Sequence, residues 1–195
     1  MLRDRQALFT AIRDVGPVSE AALLALAERL TPRSFAAGAW LLRAGDRAEH
    51  CFFIARGLVR EMYLGEAGQE HTRAFLAEGQ IGGSLLDLLS GEPAVTWIQA
   101  LEPTDTLAWR YADFNALCER FPELHLAARR TAEQLAVRKT RREHEMLAMS
   151  AAERHARWLR EHPALDARLH RRHLASYLGM TPEHLSRLRR SLRDG

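Results

Sequence analysis

Four side chains near the C-terminus, Glu183, His184, Arg187 and Arg190, stand at i, i+1, i+4 and i+7. On a helix that spacing gathers them on one face. The chemistry they could do there is base reading: an arginine donates two hydrogen bonds to guanine, and a carboxylate accepts from the cytosine amine. Thr181 has the character of an N-cap, Pro182 suits the first helical position, and Glu183 favours the positive end of the helix dipole. Leu185, Leu188 and Leu192 form the opposite, inward side. Upstream, Leu174, Tyr177 and Leu178 make the apolar face of a shorter helix, and Gly179 follows where a left-handed residue ends it. Arg171 and Arg172 open that first helix, where phosphate contacts would position the pair. Helix, tight turn and basic second helix are what a major-groove reader needs. An ordinary helical hairpin with a solvated face would show a similar pattern, so the surrounding charge matters.

That charge is lopsided. The 195 residues carry a net +3, but residues 129–195 hold 16 Lys/Arg against 8 Asp/Glu, and residues 1–128 hold 12 against 17. A basic C-terminal third behind an acidic body predicts a nucleic-acid end and a separate sensing or structural end. Fifteen of the sixteen basic residues are arginine, which suits bidentate contacts to phosphate and guanine. Cys51 and Cys118 are too few for an iron–sulfur cluster or a four-thiolate zinc, and both sit in apolar stretches that predict buried thiols. No signal peptide or apolar run of about 18 residues is present, so a soluble, cytoplasmic protein without membrane contact is expected.

The elements that must position the basic face follow from the chain in order. Residues 2–13 and 19–30 predict two short helices broken at Gly16-Pro17. Between 33 and 111, strands are expected at 34–36, 40–42, 51–55, 58–64, 70–76, 95–101 and 106–109, with a helical interruption at 84–90. Glycine-bearing turns at this spacing predict a sandwich or small barrel rather than a βαβ unit. A helix is expected over 111–120, broken at Phe121-Pro122. Residues 123–149 contain no Gly or Pro and could form a helix of roughly 40 Å. Leu124, Ala128, Thr131 and Leu135 give it a partial seam for pairing with a second copy. Ser150 and Glu153 match a capping box for a further helix over 151–161, and His162-Pro163 ends it.

This order resembles the bacterial CRP/FNR-family transcription regulators. The resemblance is carried by Ala37-Gly38-Ala39-Trp40-Leu41-Leu42-Arg43-Ala44-Gly45-Asp46, by Phe53-Ile54-Ala55-Arg56-Gly57-Leu58-Val59-Arg60, by Glu78-Gly79-Gln80-Ile81-Gly82-Gly83-Ser84-Leu85, and by Ala175–Arg187. It implies an α+β chain: N-terminal helices and a cyclic-nucleotide-binding-like β-roll over 1–121, a long dimerisation helix over 122–149, and a helix-turn-helix domain over 150–195. The stretch between Glu161 and Arg171 is short beside relatives that carry a β-hairpin wing there, so a reduced wing is expected. The implied partners are double-stranded DNA, a second copy of the chain, RNA polymerase and a small-molecule effector of unknown identity. Palindromic half-sites about 34 Å apart follow from two-fold symmetry. Matched residue by residue, Glu183, His184 and Arg187 fall where relatives contact bases. Thr181, Arg171, Arg172 and Arg190 fall at or near phosphate-contacting places, and Pro182 replaces a common base-reading side chain.

The sensing end departs from the family pattern. Relatives that bind cyclic AMP use a Gly-Glu-Leu turn for the ribose and an Arg-Ser pair for the phosphate. Here the matching places read Gly82-Gly83-Ser84 and Ala94-Val95, so the glutamate, arginine and serine are absent. A buried phosphate without its cation loses charge-assisted bonds worth roughly 1.5–3 kcal/mol each. The ligand-pocket residues the resemblance points to are therefore Gly82, Gly83, Ser84, Ala94 and Val95, with Lys139 and Thr140 where a base would meet the long helix. Binding of cyclic AMP in the usual manner is not expected. The oxygen-sensing branch needs a cysteine cluster near the N-terminus, and residues 1–30 contain none. A haem would have to use His50, His71 or Cys51.

Catalysis finds no support in the motifs. His71 lacks the His-x-His partner of a cupin metal site. His144-Glu145 begins like a zinc-protease helix, but Ala148 stands where the second histidine belongs. His170 and His173 share a helical face without a carboxylate or cysteine at metal spacing, and are expected beside DNA phosphates or in solvent. Neither a metal nor a cofactor is implied. The alternative to a DNA-binding regulator is a ligand-sensing β-roll that works through protein partners. A partner-binding helix would ordinarily show apolar anchors where Glu183, His184, Arg187 and Arg190 stand.

Overall fold

Phe52 and Phe53 are both buried, at 4 % and 1 % exposure, yet they belong to different cores. Successive side chains on a strand point to opposite faces, so a continuous apolar run means a sheet covered on both sides. The computed structural model describes residues 1–191 and has an α+β architecture. The strands are β1 (Thr31–Phe35), β2 (Trp40–Leu42), β3 (His50–Arg56), β4 (Val59–Leu64), β5 (Glu70–Leu76), β6 (Ile81–Gly82), β7 (Trp97–Ala100) and β8 (Thr104–Arg110). They form two four-stranded sheets, ordered β1-β8-β3-β6 and β2-β7-β4-β5. Pairing is antiparallel, with Cys51 opposite Trp109 and Val59 opposite Ala100. Phe52, Ile54, Val59, Ile98 and Ala108, drawn from both sheets, pack together as the interior of the roll.

The helices are α1 (Leu2–Val15), α2 (Glu20–Ala27), α3 (Leu85–Ser90), α4 (Tyr111–Arg120), α5 (Pro122–Ala148), α6 (Ala151–Glu161), α7 (Pro163–Arg168), α8 (Arg171–Leu178) and α9 (Pro182–Ser191). Leu8, Phe9 and Ile12 of α1 and Leu23 and Leu26 of α2 cover the outer face of β3 and β8, against Phe53, Leu107 and Trp109. Ser19 caps α2, its hydroxyl accepting from the Ala22 N–H at 3.2 Å. Leu117 and Cys118 of α4 and Leu124 and Ala127 of α5 join the same core.

Leu124 corrects the expected seam. It is fully buried against its own chain's core, so the start of α5 serves the first unit rather than a second copy. Two elements were absent from the sequence reading: β6, which pairs with β3 through Phe52–Gly82 and Phe53–Ile81, and α7, which opens on Pro163. Leu192, expected on the inward side of α9, lies outside the described residues. Among the described residues no helix is long and apolar enough to cross a membrane.

The chain divides into two compact units. One comprises residues 1–62 and 75–134, which hold most of the roll and its covering helices. The other comprises residues 63–74 and 135–195, which join the tip of the β4–β5 hairpin to the second half of α5 and to α6–α9.

Candidate nucleic-acid interface and the roll cassette

In the second unit the turn between α8 and α9 forms as its residue types require. Gly179 ends α8 in the left-handed region, with φ 66° and ψ 43°, and the Met180 N–H returns to the Ala175 carbonyl at 3.0 Å. Thr181 then caps α9, its hydroxyl accepting from the His184 N–H at 3.2 Å. Leu174, Ala175, Leu178 and Leu185 are buried between the two helices and α6, whose Trp158 is also buried. No strand lies between Ala151 and Ser191, so the place of a wing is taken by the short helix α7.

The outer side of α9 is open. Glu183, Arg187 and Arg190 are exposed and His184 is half-buried, while Arg171, Arg172 and Thr181 are exposed nearby in the sequence of the motif. The Glu183 carboxyl lies below the usual glutamate range, held there chiefly by its own backbone N–H and by the Thr181 hydroxyl. It is therefore an acceptor at neutral pH. The Thr181 hydroxyl is thus engaged in capping α9. His173 corrects an expectation: it is buried at 5 % exposure, and only His170 is in solvent, where its Nδ1 accepts from the Arg172 N–H at 3.3 Å and caps α8.

Three residues outside the expected set fix the motif in place. Arg154 donates from Nε to the Leu178 carbonyl at 2.8 Å and from Nη1 to the Met149 carbonyl. Arg142, on α5, donates to the Tyr177 carbonyl and lies 4.2 Å from the centre of the Tyr177 ring. Two cations on the last carbonyls of α8 complement its negative end. On the other side Ser176 donates to the Glu70 carbonyl at 2.7 Å and accepts from the Thr72 N–H at 2.9 Å. β5 lies at the edge of its sheet, and Ser176 supplies the partner its open backbone groups need. Nothing in the local sequence marks these contacts, since each joins residues 5 to 106 positions apart.

In the first unit the 82–84 turn lies beside the 95–96 segment, Ser84 against Thr96. Gly82 ends β6, Gly83 has φ 138°, and Ser84 precedes α3. A Cβ at Gly83 would stand 3.1 Å from the His50 carbonyl, which explains the small residue. The Ser84 and Thr96 hydroxyls are 2.8 Å apart and both are buried. Ala94 is buried, its N–H bonded to the Asp46 carbonyl and its own carbonyl to the Gly45 N–H, each at 2.8 Å. Lys139 and Thr140 are exposed on α5, in the other unit.

Asp87 is the residue the sequence reading missed. It is 3 % exposed, and its two carboxylate oxygens accept from the Val95 N–H at 3.2 Å and the Thr96 N–H at 3.3 Å. Burial pushes its carboxyl up, but hydrogen bonds from the Ser84 side chain, the Val95 N–H and the Thr96 side chain and N–H outweigh burial and hold it below the usual range. The signal was a single carboxylate inside Leu85-Leu86-Asp87-Leu88-Leu89. Among the described residues no group of three His, Cys, Asp or Glu could hold a metal. His50 is engaged with Arg33 at 2.9 Å, and burial followed by the Arg33 charge lowers its pKa.

Residues 32–121 match the cyclic nucleotide-binding domain family. Over 90 residues the chain is 28 % identical to the cAMP-activated global transcriptional regulator CRP of Pasteurella multocida, an alignment covering 45 % of this chain and 43 % of that one. It is 30 % identical over 115 residues to a cyclic nucleotide-gated potassium channel of Rhizobium etli, covering 59 % of this chain and 30 % of the channel. The matches thus span less than half the length of these relatives. The structure of FixK2 from Bradyrhizobium japonicum superposes with a TM-score of 0.72, covering 85 % of each chain at 22 % identity. That superposition takes in far more than the roll. The chain has the CRP/FNR-family regulator fold. Of the two relatives, one is a transcriptional regulator and the other a potassium channel.

Proposed function

We propose that the chain is a CRP/FNR-type transcription regulator that binds palindromic DNA as a homodimer and does not use cyclic AMP. The observation that carries the reading is the face of α9: Leu185 is fully buried, while Glu183, Arg187 and Arg190 on the opposite side are exposed. Arg187 donates to guanine, Glu183 accepts from cytosine, and His184 adds a third contact. Arg171, Arg172, Thr181 and Arg190 hold phosphates. The functional division is a sensor over 1–121, a dimerisation helix over 122–149 whose first turns pack on their own chain's core and whose second half does the pairing, and a reader over 150–195, at work in the cytoplasm. Support for dimerisation comes from the second half of α5, where Val137 and Leu147 are 59 % and 81 % exposed. Such apolar residues on a long helix favour burial against a second copy.

The absence of cyclic-AMP chemistry is supported by the cassette. Ala94 and Val95 replace the phosphate-binding pair, and the N–H groups of 94, 95 and 96 are already bonded within the chain. Salt dependence separates this function from a roll that acts through protein partners. Arginine contacts to phosphate release counterions, so duplex affinity should fall by a factor of about 10³ or more from 50 to 200 mM salt when six or more phosphates are neutralised. Fluorescence anisotropy with a labelled duplex measures it. No binding to any duplex at low salt contradicts the proposal.

A further inference from the structure

The cassette of the roll contains its own anion. Two neighbouring backbone N–H groups, Val95 and Thr96, point at one place, and the Ser84 and Thr96 hydroxyls stand beside it. Buried N–H groups require an acceptor, and convergent N–H and hydroxyl donors favour a charged one. The acceptor is the Asp87 carboxylate, delivered from the first turn of α3 and nearly sealed from solvent. We infer that Asp87 is the specificity-determining residue of this roll: it occupies the donor cradle of residues 84–96 as a built-in anion and excludes phosphate-bearing ligands from it. A phosphate approaching the same N–H groups would meet donors already engaged. It would also meet a negative charge that no arginine at 94 offsets, because residue 94 is alanine.

The inference rests on the reading that this roll does not use cyclic AMP, and it goes further by naming the residue and by extending the exclusion to inorganic phosphate. Full-length wild type, Asp87→Ala and Asp87→Asn are titrated separately with inorganic phosphate and with cyclic AMP by calorimetry. Thermal melts establish that each variant is folded. The expected result is no saturable binding by wild type and a gain of about ten-fold or more in phosphate affinity for Asp87→Ala, whose freed donors need an anion. Asp87→Asn, which keeps an oxygen acceptor and adds a misplaced donor, should gain less. A folded Asp87→Ala that binds phosphate no better than wild type overturns the inference and leaves the cyclic-AMP-independent reading standing. Saturable cyclic AMP binding by wild type overturns both. If Asp87→Ala does not fold, the amide protons of Val95 and Thr96 in wild type decide. They should stay protected from exchange and unshifted by phosphate, and a phosphate-dependent shift at either one overturns the inference.

Discussion

Adjacent arginines on α9 have opposite duties. Arg189 turns inward, where its Nη2 meets Asp166 at 2.5 Å, and Arg190 turns out to solvent. Asp166 also accepts from Trp158 Nε1 at 3.0 Å, so one carboxylate ties α6, α7 and α9 together. Beside it His155 is 1 % exposed, and its Nε2 has no hydrogen-bond partner among the described residues. Burial lowers the His155 pKa first, the Arg189 charge lowers it further, and Asp166 opposes them. A histidine held neutral in the folded state binds fewer protons than in the unfolded chain. Its contribution is complete above the unfolded value of about 6.5 and is lost as pH falls below that value toward the lowered folded one. His50 acts in the same direction. The melting temperature should therefore fall between about pH 7.5 and 5.5, and His155→Gln should flatten that slope. An unchanged slope in the variant would remove His155 from the account.

At the scale of elements, the Ser176 hydroxyl joins the hairpin edge to α8. Ser176→Ala removes the hydroxyl that donates to the Glu70 carbonyl and accepts from the Thr72 N–H. The loss should be about 1 kcal/mol, with faster exchange of the Thr72 amide. Unaltered protection at Thr72 would show that the contact carries no stability. The capping box at Ser150 and Glu153, the left-handed Gly179 and the Thr181 cap were legible in the sequence because each signal lies within a few residues. β6 was not, because two residues paired to β3 have no periodicity of their own. α7 was missed because six residues opening on a proline look like a loop. Leu124 shows the limit of pattern reading: spacing puts it on a helix face but does not say whether that face meets its own core or another chain. Asp87 was hidden for a similar reason, since its donors lie 8 and 9 residues away across a turn.

Over the whole molecule, charge and burial separate two tasks. The acidic first 128 residues build the roll and its helical cover, and the arginine-rich remainder carries the exposed face of α9. A dimer would present that face twice, related by a two-fold axis, and would demand a palindrome. The central claim is that Arg187 reads a base. The most direct measurement is selection of bound sequences from a random duplex pool by wild type and by Arg187→Ala. The account predicts a palindromic motif for wild type. In the variant the motif should relax at one symmetric pair of positions, with about 1–3 kcal/mol of discrimination lost at each. A wild-type motif that survives unchanged in Arg187→Ala, or salt-sensitive binding with no motif at all, would contradict it.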